Sequence, residues 1–462
     1  MVQSRNPHYV TWRAGTVVDM ADDSSDEFQE MLRKFLESGE HFDITELAKA
    51  AGLPGDAATI EKMLMQLHEA LSHGNEGITE QMVRDTATKV ANQQAVSVSP
   101  ATVAAAENAL HLASLWLDEA TSISPLTVSP STMTRGEWAR ATIPVWIQIS
   151  EPVAKSISTA GERALGDSIP EGESATAAGA FAALRRLGGT LFSLQLGQII
   201  GQLSGEVLSG GDIGIPLLDG VLEHELRAVL IPQNVSDFAD GLDIPLDDVL
   251  LYLAIREIAH ARLFKHSKWL KLGLVASITD YANGISIDAE RMRDAMSDID
   301  LSDAEALRRL VSDGSLIPPK TDEQIVALGR IETLLALIEG WVDVVANNAA
   351  HRLPSRNAIA EMIRRNRAVG RPGEKALAGL IGIDARPRRL REAAAMWSAL
   401  DAAVSPEQRD SVWGHPDIMP TSDDIDDPAA LISRLSATVV TPDAMDDAIR
   451  RLIDEDGTVD GD

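Results

Sequence analysis

Residues 250–270 read LLYLAIREIAHARLFKHSKWL, and Arg256, Glu257 and His260 keep the spacing of a metal-hydrolase helix with its first ligand exchanged. In the pattern H-E-x-x-H, two imidazoles four residues apart bind one zinc ion, and the glutamate polarises the water on it. Positions i and i+4 lie about 40° apart around a helix, so Arg256 and His260 share a face. A guanidinium stays protonated and has no lone pair to donate. A unit charge at about 4 Å from another costs about 4 kcal/mol at an effective dielectric near 20, and a dication roughly doubles that. A ligand position has become a source of positive charge.

A second element carries LLALIEGWVDVV (334–345), where Glu339 and Asp343 are again four apart among apolar residues. A carboxylate on a second helix is what a glutamate-type zinc site needs as its third ligand. His260 and Glu339 are thus candidate metal ligands, with Glu257 as candidate general base. Alternatively, Arg256 fills the place of the metal and pairs with Glu339, Glu257 or Asp343. Leu250, Leu251, Leu253, Ala254, Ile258, Ala259, Leu263 and Phe264 surround the charged face with apolar bulk, so its charges need partners. His351, His266, His224 and His415 could complete a ligand set, but none has diagnostic spacing. His68 and His73, in HEALSH, diverge by about 140° on a helix and form no site. For the string REIAH alone, an ordinary core ion-pair network is the plainer reading.

The elements that must position these groups read as helices. Alanine, leucine, arginine and aspartate dominate, and aromatics are only 4%, which favours helix over sheet. Residues 1–24 have no periodic pattern and are expected to be disordered, with Met20 a plausible alternative start. Residues 25–77 predict a small helical region ending at the polar joint Gly74-Asn75-Glu76-Gly77. Residues 78–420 form the main domain, and 421–462 an acidic tail with short helices, TPDAMDDAIRRLIDED being the clearest. Helical patterns run over 101–121, 303–313, 322–350, 355–368, 373–381 and 387–402. The segment 134–157 starts from a threonine cap and is expected to break at Pro144 and Pro152. LRAVLIPQNV (226–235) is the best strand candidate, and the motif helix is capped near Asp247. Trp269 is expected to end that helix; Trp116, Trp138, Trp146, Trp341 and Trp397 read as core.

The uncharged run 187–205 has the length of a membrane span. Gln195, Gln198 and Gln202 stripe it, however, and Gly197, Gly201 and Gly205 permit close helix packing, so a buried central helix is expected. There are no cysteines, which excludes disulfides and thiolate ligands and suits a reducing compartment. The first residues lack an apolar run, so a cytoplasmic protein is expected. The formal charge is 41 − 70 = −29, which repels nucleic acid and anionic membrane. Against that, 352–391 holds eleven basic and three acidic residues. Without interleaved aromatics it reads as a solvated face pairing with the chain's own carboxylates, a nucleic-acid contact being the lesser alternative.

Several blocks together carry a resemblance: LWLDEAT, EWARATIPVW, FSLQLGQIIGQLSGEVLSGGDIGIP, REIAHARLF with SKWL, IEGWVD, RPRRLREAAAMW and WGHPDIMP. Over roughly Ile78 to Asp427 the chain resembles the actinobacterial zincin-like proteins assigned as zinc-dependent metalloproteases or hydrolases. The resemblance implies a mainly α, zincin-like helical core with at most a small β-sheet. It also implies that Glu257 is the general-base position, His260 the second ligand, Glu339 the downstream glutamate ligand, and Arg256 the replaced first histidine. The resemblance extends to a branch with R-E-x-x-H, which implies that Arg256 is a subfamily feature. The leading expectation is a metallopeptidase relative with a degenerate zinc site, serving as a binding or scaffold module for a peptide or protein partner. The alternative is an active zinc hydrolase with an unusual ligand set, in which His260 and Glu339 hold the metal and Glu257 is the base.

Overall fold

The computed structural model describes residues 77–93, 95–166, 174–218, 226–286, 319–384 and 388–438. All of them fall in one unit, residues 70–287 with 319–462; a second unit, 1–69 with 288–318, contains none of them. The readings for 1–76, 303–313, His224 and TPDAMDDAIRRLIDED therefore lie outside the described residues.

The described part is almost entirely helical. In chain order it comprises α1 (Glu80–Gln93), α2 (Pro100–Leu117), β1 (Ser131–Thr132), α3 (Arg135–Gly166), α4 (Ser174–Ser204), β2 (Val229–Leu230), α5 (Pro232–Ala239), α6 (Leu246–His266) and α7 (Trp269–Asn283). After the undescribed insert follow α8 (Asp322–Ala349), α9 (Arg356–Val369), α10 (Pro372–Ile381), α11 (Leu390–Ala403), α12 (Pro406–Ser411), α13 (Ser422–Asp426) and α14 (Pro428–Thr438). The two strands pair in parallel, Ser131 with Val229 and Thr132 with Leu230. The mainly α fold with a minimal sheet is thus what the composition implies. Among the described residues no helix is long and apolar enough to cross a membrane.

Two helices form the centre. In α6 every residue from Val249 to Phe264 is buried except Arg256, and in α8 every residue from Leu334 to Ala346 is buried. A helix buried all round cannot be amphipathic, and its few charges must be neutralised by neighbours. The α8 start is set by a capping box between Thr321 and Gln324, with Asp322 and Glu323 in the first turn facing the helix dipole. α2 covers one side of α6, and α7 and α11 pack on α8.

Five sequence expectations are corrected. α3 runs unbroken through Pro144 and Pro152, with Trp138, Ile143, Trp146, Ile149 and Val153 all buried along it. That apolar burial outweighs the roughly 3 kcal/mol that an internal proline costs. The strand at 226–235 shrinks to Val229–Leu230, because Pro232 sits in the first turn of α5. α6 has Pro245 as N-cap with no side-chain cap; Asp247 lies in its first turn. Trp269 opens α7 rather than ending α6, and its indole nitrogen donates to the Trp413 carbonyl. The run 187–205 lies in α4 up to Ser204, but its three glutamines are exposed, so the helix is only half buried. Its glycine face behaves as expected: a Cβ on Gly201 would press on Val90 and the Ala87 carbonyl of α1.

A buried carboxylate, Asp410, locks α8 to the rest of the unit. It accepts from the Trp341 indole (2.9 Å), the Thr121 hydroxyl (2.6 Å), the Ser122 amide (2.9 Å) and Arg409 Nε (2.7 Å). Asp410→Ala strands these donors and leaves fully buried Arg409 with Asp401 as its remaining carboxylate. Such a loss costs about 3–5 kcal/mol. The denaturant midpoint is expected to fall accordingly at unchanged m; a change within about 0.5 kcal/mol would contradict this role.

Candidate functional site

The side chains singled out on α6 and α8 do meet. Arg256 Nη2 lies 2.9 Å from Glu339 Oε2, and its Nη1 lies 3.3 Å from Asp343 Oδ1. The guanidinium thus spans two carboxylates one helical turn apart on α8. Burial works against the charge on Arg256, but Glu339 and Asp343 overcome it and leave its pKa raised. The other oxygen of Glu339 lies 3.0 Å from Arg367 Nη2 on α9, and Arg364 Nη2 takes Asp343 Oδ2 at 2.9 Å. Arg371, at the start of α10, bonds Asp212 (2.5 Å), while Arg367 also reaches Glu374 at 3.6 Å. Four guanidinium groups here face Glu339, Asp343, Asp212 and Glu374, and Arg364 also reaches Glu361 at 3.6 Å.

Glu257 and His260 point elsewhere. Glu257, 3% exposed, accepts from the Gly211 amide (2.9 Å) on Oε2 and the Val229 amide (3.0 Å) on Oε1. Burial pushes its carboxyl up to about 7, against the lowering effect of those amides and the Ser209 hydroxyl. His260, 4% exposed, is pulled down to about 4 by burial, against the raising effect of Glu339. The Gly214 backbone also raises its pKa through a hydrogen bond, so a ring N–H donates there. The buried Nε2 of His260 has no hydrogen-bond partner. Beside it lies a cavity of about 10 Å³ lined by Glu257, His260, Leu218 and Leu226, with room for about one water.

A glycine-rich turn, Gly210-Gly211-Asp212-Ile213-Gly214, covers Glu257, His260 and Glu339. A Cβ on Gly210 would sit 2.7 Å from Glu257 Oε1, one on Gly211 would strike the His260 ring, and one on Gly214 would sit 3.2 Å from Glu339 Oε1. Gly214 also adopts φ +80°, a left-handed conformation suited to glycine.

The residues present do not fit a zinc ion. Both oxygens of Glu339 are taken by guanidinium groups, Asp343 is likewise held by two arginines, and the Glu257 carboxylate is anchored to backbone amides. Only His260 Nε2 is left as a donor atom, whereas zinc sites take at least three protein ligands. Among the described residues no group of three or more histidines and carboxylates could hold a metal.

The other histidines do not rescue the set. His266, His351 and His415 are all exposed; His351 Nδ1 contacts the Asn348 carbonyl, and His415 Nδ1 accepts from the Asp417 amide as a turn cap. Arg364, Arg367, Arg371 and Asp212 were not singled out from the sequence. Arg364 and Arg367, three apart, share a face of α9, and Arg371 follows the Gly370 turn as the N-cap of α10. The solvated-face expectation is corrected here, because Arg367 and Arg371 are buried, 4% and 8% exposed.

The opposed shifts of Glu257 and His260 carry a pH signature. Glu257 binds its proton more tightly folded than unfolded, so its contribution falls as pH rises from about 4.5 to about 7. His260 binds its proton less tightly folded, so its contribution rises from about 4 to about 6.5. In wild type the two slopes nearly cancel. Whatever the constant offset of Glu257→Gln, its stability relative to wild type is expected to improve as pH goes from about 5 to about 8. Denaturation midpoints across that range check this, and a pH-independent difference would contradict it.

The sequence matches the pattern of the zincin-like metallopeptidase family over residues 78–432. A solved structure from Chloroflexus aurantiacus, described as a candidate hydrolase with a novel fold, is similar to this chain. It shares 20% identity and a TM-score of 0.51, covering 78% of this chain and 99% of that one, a likeness of fold. No protein among those of curated function matches. With α6, α8 and their charged residues inside a match that spans well over half its length, the chain belongs to the zincin-like metallopeptidase family.

Proposed function

We propose that this family member has exchanged its metal centre for an ion-pair core and works as a binding or scaffold module for a peptide or protein partner. One observation carries the reading: the Glu339 carboxylate is clamped between Arg256, one turn before His260, and Arg367. In this reading Arg256 stands where the first histidine ligand would stand, and its guanidinium supplies the positive charge that joins α6 to α8. Glu257 then serves as an anchor for the Gly211 and Val229 amides rather than as a base acting on water.

The unpartnered Nε2 of His260 favours a second reading, a hydrolase whose metal is held after Arg256 swings out. It would require Arg256 to leave two buried carboxylates, and breaking such pairs costs about 3–5 kcal/mol. The first reading is therefore preferred. The basic segment offers little to nucleic acid: Arg352 pairs with Glu119, Arg365 and Arg391 with Glu361, Arg388 with Glu332, and Arg389 with Asp426. A cytoplasmic location is part of the proposal, in keeping with the absence of cysteine.

Metal content of the purified, tag-free chain tests the choice. After incubation with zinc, wild type is expected to carry no more metal than Glu339→Ala, and Arg256→His to gain about one zinc per chain. About one zinc in wild type that is lost in Glu339→Ala would overturn the ion-pair reading and restore the hydrolase.

A further inference from the structure

The segment 208–214 does more than connect α4 to the sheet. Its start pairs antiparallel with β2: Ser209 bridges Leu230, the Ile231 amide donates to the Leu208 carbonyl (3.0 Å), and the Gly210 amide to the Val229 carbonyl (3.0 Å). β1 holds the other edge of β2, so the chain itself fills the edge that adjoins Glu257. Beyond the pairing, the glycine turn lies on Glu257, His260 and Glu339, and the buried Nε2 of His260 has no partner. A sheet edge above a set of polar side chains is where an extended peptide adds as a strand.

The fastening runs through Asp212. Asp212 accepts from Arg371 (2.5 Å) and from the Leu208 amide (2.8 Å), and its carbonyl accepts from Arg367. Burial alone would raise the Asp212 carboxyl, yet Arg371 and Arg367 hold it below the usual range. From this geometry we infer that residues 208–214 are an autoinhibitory strap, a self-supplied strand and turn that denies the β2 edge to an extended peptide and is pinned by the Asp212–Arg371 pair. The inference goes beyond the proposed function and does not depend on it, since the strap covers Glu257 and His260 whether or not a metal ever binds.

Hydrogen exchange on the full chain, wild type and Asp212→Asn, tests it together with binding of a fluorescent peptide copying residues 208–214. Asparagine keeps an acceptor for the Leu208 amide and loses only the charge. The Gly211 and Ile231 amides are expected to exchange about tenfold faster in the variant, while α8 amides keep their rates. The peptide should bind the variant and not wild type. Exchange of Gly211 and Ile231 at the α8 rate in both proteins would make the segment fixed core and overturn the inference. So would a variant with fast strap amides that binds no peptide. If Asp212→Asn does not fold, the wild-type order of exchange decides: strap amides opening before α8 support the inference, and opening together with α8 defeats it. Neither readout involves metal, so failure here is distinguishable from failure of the ion-pair reading.

Discussion

The carboxylate of Glu339 is the constraint on which the rest of the centre depends. It is buried at the middle of α8, on a helix with no polar face, and an uncompensated charge there would cost several kcal/mol. Arg256 and Arg367 supply the compensation from two directions, one from α6 and one from α9. The same demand repeats at Asp343, held by Arg256 and Arg364. Three helices are thereby tied at one point, and the apolar packing around it can stay dry. A metal ion could have supplied the same positive charge with fewer side chains. In this chain the arginines supply it.

The ion pairs and the covering turn are coupled through shared residues. Arg367 holds Glu339 on one side and the Asp212 carbonyl on the other, and Arg371 takes the Asp212 carboxylate. Gly211 reaches Glu257 and lies against His260, while Gly214 reaches Glu339. The turn, the two buried helices and the basic face of α9 thus form one cooperative network, whose members are not expected to contribute additively.

Much of this was legible in the sequence. The spacing of Arg256, Glu257 and His260, and of Glu339 with Asp343, placed the charged groups on two apolar helices and offered, beside a metal site, a pairing of Arg256 with Glu339, Glu257 or Asp343. Helix limits at 322–350, 355–368 and 373–381 fell close to α8, α9 and α10, because capping residues and apolar periodicity mark them locally. What failed depended on tertiary contacts. Prolines 144 and 152 read as breaks, since periodicity does not reveal how much apolar surface α3 would bury. Arg367 and Arg371 read as solvated, since a basic run looks the same whether its carboxylates come from solvent-facing or buried helices. The role of Gly210, Gly211 and Gly214 was invisible because close approach to a side chain from another element leaves no local signal; the recurrence of glycine beside Asp212 was the only trace.

In the proposed reading a guanidinium holds the place a cation would take between α6 and α8. The most direct measurement is a crystal structure of the chain grown with zinc, with data collected at the zinc absorption edge. The account predicts Arg256 within hydrogen-bonding distance of Glu339 and Asp343 and no anomalous peak beside His260. A zinc peak bonded to His260 and Glu339, with Arg256 turned away, would contradict it.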